Sequence, residues 1–135
     1  MAFARFDHFS ILLPNGKVWV GGNGDESNPI AQYEEYDPAT ETFSIAGSSQ
    51  LVRTTFSVNL LVNGKILIIA GLSSFEAIQG CELFDPGTGV SVFTDSLSVL
   101  RGFQHHSITL SDGRVFVIGG EITTTTAQPA ELYAP

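Results

Sequence analysis

Three arginines stand at one interval, Arg5, Arg53 and Arg101, each 48 residues after the last. Histidines follow the first and third of them, at His8 and His105. A guanidinium is planar, always charged and forked, which suits carboxylates and phosphates. Three of them around one mouth could hold an anion. The competing role is architectural, each arginine tying its own segment to a backbone carbonyl or to an acid of the next unit. A residue repeated once per unit more often serves the scaffold than the ligand, and both roles stand at this point. His105 and His106 suggest a metal, but neighbours on a strand point to opposite faces, so both do not easily ligate one ion. His8 and His105 are the better matched pair, yet no carboxylate or cysteine joins them at a ligand spacing. Structural histidines and no metal are expected. In "NGDESN" (23–28), Asp25, Glu26 and Asn28 place hard oxygens on a loop. Calcium would suit such oxygens, but the EF-hand spacing is absent and an acidic surface loop is expected. Arg5, His8, Arg53, Arg101, His105, Asp25, Glu26 and Asn28 are the candidate binding residues.

Catalytic patterns are missing. There is no G-x-S-x-G, H-E-x-x-H, C-x-x-C or phosphate-binding glycine loop, and "GGNG" (21–24) precedes no helical pattern. The expectation is a protein that is not an enzyme and carries no cofactor. The one cysteine, Cys81, excludes an intrachain disulfide and reads as a small buried hydrophobe. Fourteen acids against six bases leave a net charge of −8, which argues against nucleic acid or an anionic membrane as partner. No basic region with a long apolar run opens the chain, so no signal peptide is expected. No run approaches the roughly 18 apolar residues of a membrane span. Hydrophobic residues at 43% of 135 suffice for one packed domain.

The elements that position these residues come from a repeat. "LLPNGKVWVGG" (12–22) returns as "LLVNGKILIIAG" (60–71) and "TLSDGRVFVIGG" (109–120). Gly22, Gly71 and Gly120 are 49 apart, and Asp37-Pro38 and Asp85-Pro86 are 48 apart. Each phrase is two short apolar runs around Asn-Gly or Asp-Gly, a hairpin signal because those residues tolerate positive φ. A polar segment follows the glycines (23–32, 72–79, 121–130). A third strand then ends "QYEEYDP", "CELFDP" or "AELYAP". A fourth, "ETFSIA" or "VSVFT", completes the first two units only. No segment has a helical period. The reading is all-β, three units of four antiparallel strands, at about 5–50, 53–98 and 101–135, the third lacking its outer strand.

Four strands in 45–50 residues match a propeller blade. The glycines after the second strand and third strands such as "ELFDP" (82–86) resemble Kelch repeats, in the bacterial form also seen in galactose-oxidase-like propellers. Phe43 and Phe93 stand where the fourth strand of the family usually has Trp, and Ala70-Gly71 replaces one glycine pair. The resemblance implies a propeller and a non-catalytic module that presents a binding face to a protein or glycan. Its alternative is a fragment of a galactose-oxidase-like enzyme whose catalytic residues lie outside this chain. Tyr33, Tyr36 and Tyr133 sit on third strands and do not match that family's copper–tyrosine site. Propellers close with roughly four to eight blades. Two chains would reach six through head-to-tail junctions, so a homodimer is expected, with a piece of a longer protein as the competing account. The loops entering the first strand and leaving the second share one end, which is the expected binding face.

Overall fold

The computed structural model of the chain describes residues 1–22, 30–121 and 128–134. Among these residues there is no helix, and so none long and apolar enough to cross a membrane. Thirteen strands form antiparallel sheets. The first sheet is β1 (Phe9–Leu12), β2 (Val18–Gly21), β3 (Gln32–Asp37) and β4 (Thr42–Ser48), in chain order. The second is β5 (Ser57–Leu60), β6 (Ile66–Ile69), β9 (Cys81–Asp85) and β10 (Val90–Thr94). The hairpin β7 (Leu72–Ser73) and β8 (Glu76–Ala77) lies between β6 and β9 in the chain. The third is β11 (Phe103–Thr109), β12 (Val115–Glu121) and β13 (Glu131–Tyr133). The strand pattern read from the sequence therefore stands at 4, 4 and 3. Two details differ. The segment 72–79, expected as a polar loop, folds into its own hairpin. β11 begins four residues before "SITL", because Phe103 pairs with Glu121 and extends the ladder.

Each β1–β2-type hairpin turns the same way. The Asn15, Asn63 and Asp112 side chains each accept a hydrogen bond at 3.0 Å from the backbone N–H two residues on. That local bond mimics a backbone turn, which is why Asn and Asp hold these positions.

The second sheet is the middle layer. Along β6, Ile66 and Ile68 pack with Leu13, Trp19, Tyr33, Phe56 and Phe84 toward the first sheet. Leu67 and Ile69 pack with Cys81, Leu97, Val115, Val117 and Tyr133 toward the third. A strand shows alternate residues to opposite faces, so the unbroken "ILII" run is what a sheet covered on both sides requires. Trp19, Tyr33 and Phe84 make the first junction, with ring centroids 4.8 Å (Trp19–Tyr33) and 4.9 Å (Tyr33–Phe84) apart.

The first strands lie side by side. Between β5 and β11, the Asn59 amide donates to Ser107 Oγ, Ser107 Oγ donates to Ser57 Oγ at 2.8 Å, and Thr109 Oγ1 donates to the Leu60 carbonyl at 3.0 Å. Phe9 of β1 meets Phe56, just before β5, at 5.1 Å. This convergence puts the approaches to all three sheets at one end of the molecule.

Candidate functional site

The arginines form the frame of that end. Arg53 donates to the carbonyls of Ala70 (3.0 Å) and Gly80 (2.6 Å) and to Glu82 Oε1 (2.5 Å). Arg101 donates to the carbonyls of Gly119 and Pro129 and to Glu131 Oε1 at 2.8 Å. Arg5 donates to the carbonyls of Gly22 and Gln32, each at 2.7 Å, and to Glu34 Oε2 at 3.3 Å. Each arginine thus stitches the end of a second strand to the start of the third strand in its own sheet. All three side chains are buried. The terminal nitrogens of Arg5, Arg53 and Arg101 are engaged in the fold, and the Nε of Arg53 and of Arg101 is buried without a partner among the described residues. The role is architectural, and the acid belongs to the same sheet rather than to the next. The pairing has a signal in the sequence. Glu34, Glu82 and Glu131 repeat at 48 and 49, in step with the arginines.

The glutamates hold the linkers in turn. Glu82 also accepts the backbone N–H of Gln50 at 2.7 Å and of Leu51 at 3.0 Å. Glu131 accepts the N–H of Ser98 at 2.7 Å, and Glu34 that of Ala2 at 2.6 Å. One carboxylate per sheet, buried at Glu34 and Glu82 and half-buried at Glu131, fixes the segment that leads into the first strand.

Those segments and the β7–β8 hairpin line a groove of about 910 Å³, with Phe6, Val52, Phe103, Leu72, Ser73 and Phe75 among its residues. Phe75 projects from the hairpin tip, 80% exposed, with a left-handed φ of 66°. A smaller cavity of about 300 Å³ opens at the heads of the first strands, lined by residues that include Asp7, Phe9, Thr55, Phe56, Gln104 and His105. Asp7 and Thr55 line both spaces.

Asp7, Thr55 and Gln104 all have left-handed backbone, φ 46°, 52° and 54°. Asp accepts that conformation readily, but a β-branched Thr does so at a cost of about 1–2 kcal/mol. Thr55 Oγ1 offsets part of this by donating to the Gly102 carbonyl at 2.8 Å, which ties the second sheet's approach to the third's. Strain of this kind collects at functional sites. Thr and Gln give no local sign of it, so only the repeat positions, 48 and 49 apart, could have marked them.

The other candidates separate. His8 is exposed. His105 is buried and its Nε2 donates to the Ile69 carbonyl at 3.1 Å. Asp25, Glu26 and Asn28 lie outside the described residues. No three His, Cys, Asp or Glu side chains among the described residues are grouped to hold a metal. Burial pushes the Cys81 thiol up to about 11, which keeps it protonated and unreactive at neutral pH.

Desolvation, with the Arg101 charge as a smaller cause, lowers the His105 pKa below its ordinary 6.5. A lowered folded pKa means that the unfolded chain binds the extra proton first. The contribution of the neutral ring is complete above pH 6.5 and is lost as pH falls below it. We expect unfolding free energy to fall on acidification through this window, and His105→Gln to flatten that slope. Denaturant titrations at several pH values measure both, and an equal slope in the variant would refute the assignment.

Searches against protein-family profiles and against curated protein sequences gave no match.

Proposed function

We propose that this chain is one half of a Kelch-type propeller, a non-catalytic module that two copies close into six blades and whose groove end binds a protein or a glycan. The observation that carries the reading is the contrast between the middle sheet and its neighbours. All four residues of β6 have zero exposure. In the first sheet, Trp19 faces the second sheet, so Val18 and its cross-strand partners Leu12 and Tyr36 face away. Leu12 is 67% exposed, and Phe43 and Ile45 on the same side are exposed too. In the third sheet, Val115 and Val117 face inward, so Phe116, Ile108, Ile118 and Leu132 face out. Ile108 is 61% exposed and Ile118 49%.

The two bare faces are opposite sides of a repeated layer. The first sheet's corresponds to the side that the middle sheet turns toward the first. The third's corresponds to the side that the middle sheet turns toward the third. Joining them repeats the internal junctions, and under a two-fold axis both new junctions are equivalent. Water on such faces costs about 25 cal/mol for each Å² left exposed. Three chains would bring nine blades, beyond the usual range.

Light scattering at micromolar concentration tests the closure. The wild type is expected to have twice the chain mass, and Leu12→Asp or Ile118→Asp alone is expected to yield monomer, because every junction uses both faces. Mixing the two variants restores one wild-type junction and should recover part of the dimer. A folded wild-type monomer refutes closure by pairing, and a trimer refutes the blade count. A bound partner is expected at the groove around Phe6, Phe75 and Phe103, not at the Asn15-Gly16, Asn63-Gly64 and Asp112-Gly113 turns.

A further inference from the structure

We infer that closure places His106 of one copy against His8 of the other at both new junctions, so that the ring holds with these imidazoles neutral and opens on acidification. The inference rests on the closure proposed above. The three sheets align at the left-handed residues Asp7, Thr55 and Gln104. His8, Phe56 and His105 come next in the chain, followed by Phe9, Ser57 and His106. Strand pairing gives the same alignment, because Phe9 lies opposite Gly21, Ser57 opposite Ile69 and His106 opposite Ile118. At the first internal junction, Phe9 and Phe56 meet with ring centroids 5.1 Å apart. At the second, His105 takes the place of Phe56, and its Nε2 donates to the Ile69 carbonyl at 3.1 Å. A junction between the third sheet and the first sheet of a second copy sets His106 where Phe9 stands. It sets the second copy's His8 where Phe56 and His105 stand, beside His106 and next to Ile118, the counterpart of Ile69. Both histidines are exposed in the single chain, so closure takes two solvated rings into one buried contact.

An imidazole in water gains its charge near pH 6.5, at about the middle of the physiological range. Two imidazolium ions held side by side repel, and burial disfavours each charge further. The surrounding groups do not cancel both. Asp7 precedes His8, is exposed, and is the one carboxylate at the strand heads, so it can neutralise one imidazolium at each junction but not two. Arg5 is bound to Glu34 and Arg101 to Glu131. His105 turns to the other face of β11, and Glu121 sits farther along, opposite Phe103. Lys17, Glu35, Asp37, Asp112 and Arg114 gather at the turn ends of their sheets, away from the strand heads. Each junction therefore excludes a proton that the separate chains bind. A charge disfavoured in the closed form means that the histidines support closure fully above about pH 6.5, and that this support is lost as pH falls below it.

Sedimentation equilibrium on the wild-type chain, at about pH 7.5 and about pH 5.5, brackets the titration. The dimer dissociation constant is expected to rise more than about tenfold on acidification. His8→Gln and His106→Gln each leave one titrating ring per junction, which Asp7 can neutralise. Each variant should still dimerise at about pH 7.5 and should lose most of the acid sensitivity. Trp19 fluorescence reports the first internal junction and should stay native while the wild type dissociates. A wild-type dimer indifferent to pH, variants as acid-sensitive as the wild type, or unfolding in place of dissociation would overturn this inference alone. A wild-type monomer at about pH 7.5 would remove closure itself, and this inference with it.

Discussion

Replacing Glu82 by alanine is expected to lower the free energy of unfolding by about 3–5 kcal/mol, the cost of leaving a buried charge without its partner. Glu82 has zero exposure and accepts from Arg53, from the Gln50 and Leu51 amides, and from Ser49 Oγ at 3.1 Å. Alanine removes every one of those acceptors, while Arg53 remains buried and keeps only its two carbonyls. Against a typical total of about 5–15 kcal/mol, a loss of that size leaves little. Glu82→Gln should cost less, because the amide oxygen can still serve one backbone N–H. The double change Arg53→Met with Glu82→Leu should recover part of the loss, since replacing a whole buried pair is often tolerated. Recovery stays incomplete because Gln50 and Leu51 still lack an acceptor. Glu35→Ala, which breaks the partly buried contact to Lys17 at 2.8 Å, should cost much less than Glu82→Ala, about 1 kcal/mol. Urea unfolding of the four variants checks the order. An unperturbed Glu82→Ala would mean that the pair does not organise the sheet. The consequence reaches the groove, because Glu82 holds the segment that presents Leu51, Val52 and Thr55 to it.

Gly71→Val should be nearly as costly, above about 3 kcal/mol, from two sources that add. The backbone there has φ +101°, a left-handed conformation that costs a side chain about 1–2 kcal/mol. A Cβ at this position would also lie 2.5 Å from the Thr54 carbonyl and 3.0 Å from Phe56 Cβ. Backbone cannot swing aside as a side chain does. The Gly71 amide donates to the Arg101 carbonyl at 3.0 Å and its carbonyl accepts from Ile78 at 3.0 Å, so the residue joins the second sheet, the third sheet's approach and the β7–β8 hairpin. Gly64 is the control. Its φ is +81°, but nothing lies within 4 Å of the added atom. Gly64→Val should therefore show only the conformational part, about 1–2 kcal/mol. Equal losses at the two sites would remove the steric half of the argument. Thermal unfolding of both variants, with tryptophan fluorescence reporting Trp19 between the first two sheets, makes the comparison.

Local chemistry settled the strands and turns. Asn15-Gly16, Asn63-Gly64 and Asp112-Gly113 need only neighbours two residues away to form their turns, so they were legible without any fold. The short apolar runs and the 48–49 repeat likewise gave the strands and their order, including the three-stranded third sheet. The glycines at 22, 71 and 120 were legible as special positions, and each has φ between +94° and +101°. What the arginines do was not legible in the same way. The once-per-unit repeat favoured a scaffold role, but a guanidinium can serve as an anion fork or a carbonyl clamp. Only the register that sets Ile69 opposite Cys81 brings Ala70, Gly80 and Glu82 within reach of Arg53. The β7–β8 hairpin was missed because its two-residue strands have too short a pattern to declare themselves. The left-handed Thr55 and Gln104 and the two spaces they border arise from segments about 48 residues apart meeting at one end. Contacts of that range carry no local signature, because the energy that creates them comes from burying sheet on sheet rather than from any short stretch of chain.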